Sequence, residues 1–130
     1  MSGFLLDTTV VIDWLRGYRP TVAWLEHEAV AGRRLVISPI TVAEVLAGVS
    51  PEHRSQRAEQ LAAYEYQGFS FEAAKLAGEL YFGHAREGRP LPLPDLLQAA
   101  LAKTLGLAVA TSDPGLFPDV STVNPREFVG

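Results

Sequence analysis

The 130-residue chain contains no cysteine, and this absence removes several kinds of site at once. Disulfide bonds, thiolate zinc sites and cysteine nucleophiles are all excluded. Long hydrophobic runs are also missing, because no apolar stretch approaches the ~20 residues that cross a bilayer. The first residues do not combine a basic region with a long apolar stretch, so they do not resemble an export signal. We therefore expect no membrane partner, and the composition fits a cytoplasmic protein.

Basic residues are not in excess either, and the formal net charge is −4. This charge argues against a protein that coats nucleic acid through its overall positive field. Local binding of nucleic acid stays open, because divalent cations held by a cluster of acids would offset the negative charge. Since 48% of the residues are hydrophobic, we expect one compact domain over residues 1–130 with a substantial core.

Apolar runs that suit buried strands alternate with segments in which apolar residues recur at helical spacing. This alternation predicts an α/β domain with a mainly parallel central sheet of four to five strands, flanked by helices. A loop is predicted at 88–94, which contains three prolines. The predicted strands are 4–6, 35–37, 69–71, 107–110 and 120–123, and the predicted helices are 8–15, 22–29, 40–46, 51–66, 72–87 and 95–105.

Acidic residues follow two of the predicted strands or open a predicted helix. Asp7 and Asp113 come just after apolar strands, where open parallel sheets bind their ligands. Each acid also has an ordinary structural explanation. Asp7 and Asp95 could cap the helices that follow them, and Asp113-Pro114-Gly115 is typical of a turn.

Glu44 also has a structural alternative, because Thr41-Val42-Ala43-Glu44 matches a capping box. If Ser38 caps this helix and Pro39 is its first residue, Glu44 lies too deep in the helix to reach back to the cap. Glu44 then belongs either to the solvent face or to a site at the beginning of the helix.

The four acids Asp7, Glu44, Asp95 and Asp113 are more informative together than singly, because independent caps have no reason to converge on one sheet edge. Carboxylates brought together repel one another and raise their own pKa values unless cations are supplied. Mg²⁺ and Mn²⁺ prefer oxygen ligands, and one or two such ions suit the hydrolysis of phosphodiester bonds. We therefore predict that the four acids converge on a site for Mg²⁺ or Mn²⁺.

Four short segments occur in a characteristic order: LLDT at 5–8, SPITVAE at 38–44, PDLLQAA at 94–100 and TSD at 111–113. Together they resemble the PIN-domain nucleases, and above all the VapC-type toxins of toxin–antitoxin pairs. The resemblance spans nearly the whole chain. Two departures are visible: Asp113 stands where many members have asparagine, and Leu97-Gln98 replaces a more apolar, isoleucine-rich pattern.

The resemblance implies a magnesium- or manganese-dependent endoribonuclease that inhibits translation, forms a homodimer and is blocked by an antitoxin. By position, Asp7 and Asp95 would hold the principal metal ion and Glu44 would complete its shell. Asp113 would serve a second ion or orient ligands, with Thr111 in support.

Other charged residues carry weaker expectations. Arg16, Arg86 and Arg89 are candidates to hold the RNA backbone. Asp13 is expected on a solvated helix face, and the three histidines, including His84, are expected to be solvated rather than catalytic.

Two rival functions deserve comparison. A haloacid-dehalogenase-type phosphatase also begins with an apolar strand and an aspartate, but here threonine occupies position 9, where its second aspartate would stand. A binding module that kept the fold and lost activity is the non-enzyme alternative. The complete set of acids argues against it.

Overall fold

Five short parallel strands form the centre of the computed structural model, which describes residues 2–130. Their order across the sheet is β3-β2-β1-β4-β5, and every neighbouring pair is parallel. This architecture confirms the predicted α/β class and its parallel sheet. The strands are β1 Gly3–Leu6, β2 Arg34–Ile37, β3 Glu65–Tyr66, β4 Ala108–Ala110 and β5 Thr122–Val123.

Helices connect and flank the strands. In the described part of the chain they are α1 Thr8–Leu15, α2 Arg19–Val30, α3 Pro39–Ala47, α4 Arg54–Leu61, α5 Phe71–Arg86 and α6 Leu93–Leu105. Short 3-10 turns lie at Pro51–His53, Pro114–Leu116 and Pro125–Glu127. Within residues 2–130, none of the helices has the length and apolar character needed to span a membrane.

The core lies on both faces of the sheet, and β1 shows why. Phe4 and Leu6 face the cluster that contains Trp24, whereas Leu5 faces the cluster that contains Val109 and Phe117. All four residues of β1 are buried. Burial on both faces explains why β1 is a continuous apolar run instead of an alternating one.

The strand order changes direction at the boundary between β1 and β4. From β1 the chain builds outward through β2 to β3, and it then crosses to the other side of β1 to form β4 and β5. Ligands of doubly wound sheets bind at such a switch point, beyond the carboxyl ends of the strands. Asp7 follows β1 at this point, and Thr111 follows β4.

The predictions for 51–66 and 69–71 were wrong. Helix α4 ends at Leu61, and Glu65–Tyr66 pairs with β2 as an edge strand. A bond from the Gln67 N–H to the carbonyl of Ile37 (3.0 Å) extends this pairing. Phe69 to Phe71 is not a strand, because Ser70 accepts a bond from the N–H of Ala73 (3.1 Å) and caps α5. Long-range strand pairing overrides the local helical pattern here.

Helix α6 begins at Leu93, two residues before the predicted start. Pro94 lies in its first turn, where a missing N–H costs nothing. Asp95 is consequently inside the first turn and does not cap the helix, so the capping explanation for Asp95 was wrong. Its carboxylate remains available for another role.

Candidate active site

Asp7 occupies the junction of β1 and α1 and is only 7% exposed. Its backbone N–H donates to the carbonyl of Ala110 (2.9 Å), which continues the β1–β4 pairing to the end of the strand. One carboxylate oxygen accepts from the Thr8 N–H (2.9 Å) and the other from the Thr111 hydroxyl (2.8 Å). Asp7 therefore caps α1, as its ordinary explanation holds, and is also fixed at the switch point of the sheet.

Burial raises the pKa of Asp7 above its usual value, and the negative charge of Glu44 adds to this effect. Hydrogen bonds from Thr111 and Thr8 act in the opposite direction and favour the ionised form. Because the effects that raise the pKa are the larger ones, the Asp7 carboxylate is costly to ionise unless a cation is supplied.

Asp95 reports most directly on how the acids are arranged. Its partial burial raises its pKa to about 6, and the negative charges of Asp7, Glu44 and Asp113 contribute to the rise. These three charges belong to the other predicted ligands. The fold therefore brings Asp7, Glu44 and Asp113 within electrostatic range of Asp95.

Glu44 lies on the exposed side of α3, and its Oε1 accepts a hydrogen bond from the Thr8 hydroxyl at 2.5 Å. Ser38 caps α3, because its hydroxyl oxygen accepts from the N–H groups of Ile40 (3.1 Å) and Thr41 (3.5 Å). The capping-box explanation for Glu44 is thereby removed. Glu44 is instead tied to α1 at the residue that follows Asp7.

Asp113 is exposed and opens the 3-10 turn at Pro114–Leu116. Its backbone N–H donates to the Thr111 hydroxyl oxygen (3.0 Å), and the same hydroxyl donates to Asp7. Thr111 therefore connects the buried carboxylate with the beginning of the turn. The turn explanation for Asp113 is correct, and it is compatible with a carboxylate directed to solvent near the other acids.

Carboxylate oxygens are the ligands that hard divalent cations prefer. In the described part of the chain, no group of three or more His, Cys, Asp or Glu side chains is arranged so that it could hold a metal ion. An open arrangement suits Mg²⁺, which keeps several waters and is bound through one or two carboxylates. A divalent cation beside Asp7 and Asp95 would offset the repulsion that raises the pKa of Asp95.

The arginine candidates differ in their surroundings. Arg16 lines a cleft of about 200 Å³ together with Glu44 and Arg57. Arg86 instead stacks on Phe82, with its guanidinium carbon 5.6 Å from the ring centroid. Arg89 is exposed in the loop before α6. Arg16 is thus the candidate that shares a cleft with one of the four acids, Glu44.

The end of α5 that carries Arg86 also carries His84, which is bonded to Asp119. His84 lies 2.9 Å from a carboxylate oxygen of Asp119, and the carbonyl of Asp119 accepts from Lys103 (3.0 Å), near the end of α6. His84 is 18% exposed, so the expectation that it is solvated was wrong.

Asp13 is also buried, at 6% exposure, which corrects its predicted position on a solvated helix face. Its two carboxylate oxygens accept bonds from Arg126 at 2.8 and 2.9 Å. Thr21 donates a further bond at 3.1 Å. The hydrogen bonds from Arg126 lower the pKa of Asp13. This acid therefore belongs to an ion pair that joins α1 to the carboxyl-terminal segment.

Sequence reasoning missed the hydroxyl and amide side chains that hold the acids in place. Thr8, Ser38, Thr41 and Gln98 form hydrogen bonds between α1, α3 and α6. The only available signal was their position, because each lies within three residues of an acid or at the cap of its helix.

Comparison with known proteins agrees with this geometry. The family model described as "PIN domain" matches residues 4–122. Ribonuclease VapC10 of Mycobacterium tuberculosis is 30% identical over 121 residues, which cover 93% of this chain and 90% of that protein.

Solved structures give the same result. FitAcB from Neisseria gonorrhoeae superposes with a TM-score of 0.79 at 28% identity, covering 96% of this chain and 99% of that one. A toxin–antitoxin complex from Klebsiella pneumoniae gives a TM-score of 0.77 at 28% identity, covering 95% and 98%. The predicted resemblance is confirmed, and the chain belongs to the PIN-domain family.

Proposed function

We propose that this protein is a metal-dependent endoribonuclease and the toxin of a VapBC-type toxin–antitoxin module. The observation that supports it best is the raised pKa of Asp95 at the switch point of the sheet, which results from burial and from the nearby charges of Asp7, Glu44 and Asp113. Its relative in Mycobacterium tuberculosis is named a ribonuclease, and the similar structure from Klebsiella pneumoniae is a toxin–antitoxin complex. Both names support this assignment.

In this proposal Asp7 and Asp95 hold a principal Mg²⁺ or Mn²⁺ ion, and Glu44 completes its surroundings. Asp113 serves a second ion or orients ligands. When bound, the cation acts as a Lewis acid that offsets charge on the scissile phosphate. Thr111 orients Asp7 and favours its ionised form by donating a hydrogen bond to it (2.8 Å).

Thr8 orients Glu44 by donating a hydrogen bond to its Oε1 (2.5 Å). Because Glu44 is exposed, this bond restricts a side chain that would otherwise be free to move. Because Thr111 and Thr8 already hold the Asp7 and Glu44 side chains in place, these side chains lose less freedom when a cation binds.

The RNA backbone is proposed to contact Arg16, with Arg86 and Arg89 as further candidates. Arg16 is supported by the cleft that it shares with Glu44. A phosphate held there would lie next to Glu44. Contacts of this kind weaken as salt concentration rises.

A cognate antitoxin and a second copy of the chain are the proposed protein partners. Similarity to the complex from Klebsiella pneumoniae supports the antitoxin. Exposed aromatic residues on α5 support a protein contact, because Phe71 and Phe82 are 80% and 62% exposed. Their spacing of eleven residues puts both on one face of the helix.

The test is RNA cleavage by the purified protein with and without added Mg²⁺ or Mn²⁺. We expect cleavage only with the metal, and a loss of at least ~100-fold in Asp7→Asn and Asp95→Asn, because each change removes a proposed ligand. Glu72→Gln is the matched control for Asp95→Asn, since Glu72 is an exposed acid in the first turn of α5. Circular dichroism checks the fold of each variant. Cleavage that needs no metal and survives both substitutions contradicts the proposal.

A further inference from the structure

A buried glutamine connects the two helices that carry proposed ligands. Gln98 is 1% exposed and lies one turn after Asp95 on α6. Its Nε2 donates to the Thr41 hydroxyl (3.0 Å), and its Oε1 accepts from the Ser38 hydroxyl. Ser38 caps α3 and Thr41 lies in its first turn. One amide group therefore bridges α6 and α3.

The same hydrogen-bond network extends to the other acids. Thr41 donates to the carbonyl of Leu6 (3.3 Å), the residue immediately before Asp7. The hydroxyl of Thr41 also lies 3.3 Å from that of Thr8, which donates to Glu44. The network thus reaches the backbone beside Asp7, the side chain of Glu44, and the helix that carries Asp95.

The core alone does not require an amide at position 98. Neighbouring positions on this part of α6 are filled by apolar residues such as Leu96, Ala99 and Leu101. A buried amide is costly unless its polar atoms are bonded. In the described part of the chain, every buried side-chain nitrogen and oxygen has a hydrogen-bond partner. A fully bonded buried network favours one particular arrangement of the elements that it joins.

We propose that Gln98 is a positioning residue that sets the spacing of Asp95 relative to Asp7 and Glu44, and thereby strengthens divalent-cation binding. This inference rests on the proposed function for the metal site. Hydrogen bonds fix a separation more narrowly than apolar contact does, because they weaken steeply outside a short range of distance and angle. Without the amide, α3 and α6 remain packed but their spacing is less restricted.

The test measures Mn²⁺ affinity of the full chain by isothermal titration calorimetry. Gln98→Leu replaces the amide with an apolar side chain. We expect its dissociation constant for Mn²⁺ to rise by about 10-fold or more, as for other residues that orient metal ligands. The Mg²⁺ concentration for half-maximal RNA cleavage should rise by a similar factor, whereas the rate at saturating Mg²⁺ should change less.

Thr21→Val is the matched control, because Thr21 is fully buried and donates one hydrogen bond (3.1 Å) to Asp13 in a different cluster. Both variants lose buried hydrogen bonds, so both should lower Tm. Only Gln98→Leu should weaken Mn²⁺ binding. Equal Mn²⁺ affinity in Gln98→Leu and the wild-type protein overturns the inference, and so does an equal loss of affinity in Thr21→Val.

A second variant covers the case in which Gln98→Leu does not fold. Thr41→Val removes the hydroxyl that accepts the hydrogen bond from Gln98 Nε2 (3.0 Å) and leaves Gln98 in place. We expect Thr41→Val to weaken Mn²⁺ binding as well. Unchanged Mn²⁺ affinity in Thr41→Val overturns the inference.

The two proposals fail in different ways. Wild-type protein that binds Mn²⁺ but does not cleave RNA contradicts the proposed function, while the affinities of the variants still decide the role of Gln98. Wild-type protein that binds no Mn²⁺ overturns both. Normal cleavage with equal affinities contradicts only the role of Gln98.

Discussion

Two buried acidic regions of this protein have opposite electrostatic surroundings. Asp13 lies in an ion pair with Arg126, and its pKa is lowered. Asp7 and Asp95 have raised pKa values, and no basic side chain in residues 2–130 contributes to either shift. The first region contains its own cation, whereas the second leaves its negative charges for something outside the chain to neutralise.

The direction of the pKa shift distinguishes the acid of a structural ion pair, Asp13, from the acids of the candidate active site, Asp7 and Asp95. Burial alone does not distinguish them, because Asp7 and Asp13 are exposed to nearly the same extent, 7% and 6%. The charges around each acid do. Perturbed pKa values gather at functional sites, and the direction of the shift gives the reason.

The largest expected effect is stabilisation of the folded protein by bound Mn²⁺. Mn²⁺ at ~100 times its dissociation constant should stabilise the folded protein by about 2.7 kcal/mol, since binding to the folded state alone shifts the unfolding equilibrium. Thermal unfolding with and without Mn²⁺ measures this effect. Asp7→Asn should abolish most of the gain, whereas Glu72→Gln should retain it. If Mn²⁺ stabilises the wild-type protein, Asp7→Asn and Glu72→Gln equally, the ion does not bind at Asp7.

The next effect concerns the ion pair. Arg126→Met should lower the free energy of unfolding by about 1–3 kcal/mol, because it leaves the buried Asp13 carboxylate without its partner; this range allows for the partial exposure of Arg126. Urea denaturation provides the measurement. Mn²⁺ affinity should stay within about twofold of the wild-type value, since the ion pair belongs to the other region.

Arg33→Met is the control for this variant, because the Arg33 side chain is 40% exposed and lies 3.9 Å from Glu28, too far for a hydrogen bond. Such a pair contributes less than about 1 kcal/mol. If Arg126→Met both destabilises the fold and clearly weakens Mn²⁺ binding, the region of Asp13 and the region of Asp7 and Asp95 are not independent.

Much of the candidate site could be predicted from the sequence because its signals are local. Asp7 follows an apolar strand directly, and counting from Ser38 puts Glu44 beyond the reach of a capping box. These inferences need only the strand period, the helix period and the positions of caps. The parallel direction of the strands follows from the same alternation of elements.

Features that depend on distant residues could not be predicted. The partner of Asp13 lies 113 residues away along the chain, and Gln98 meets Ser38 and Thr41 across about 60 residues. Strand β3 is specified by pairing with β2, and Arg34 and Glu65 add a 2.5 Å ion pair across that edge. Nothing local distinguishes these residues from solvated ones.

A smaller effect follows from the repulsion at Asp95. Asp95→Asn should stabilise the metal-free protein at pH 7.5 by about 1 kcal/mol, since it removes a carboxylate whose ionisation is unfavourable in the folded state. Urea denaturation with a chelator present measures this gain. Asp13→Asn should instead lower the free energy of unfolding, because the Asp13 carboxylate stabilises the fold. A loss of stability in both variants would contradict the assigned difference.

The pH dependence sharpens the same contrast. Folding raises the pKa of Asp95 from 3.8 to about 6, so between these values the folded protein binds more protons than the unfolded chain. The metal-free wild-type protein should therefore gain stability relative to Asp95→Asn as pH falls from 7 to 4. Asp13 has a lowered pKa, and its contribution is present above pH 3.8 and is lost as pH falls through its folded value.

The smallest expected effect tests the proposed contact between Arg16 and an RNA phosphate. Arg16→Gln should raise KM for RNA by a few-fold at low salt, because one phosphate contact is lost, and the difference should shrink as salt rises. Arg33→Gln removes the same charge from the turn before β2, at the amino end of that strand, and should leave KM unchanged. Cleavage rates at several NaCl concentrations provide the measurement. If both variants raise KM equally, RNA responds to net charge, and the cleft shared by Arg16 and Glu44 has no special part in binding.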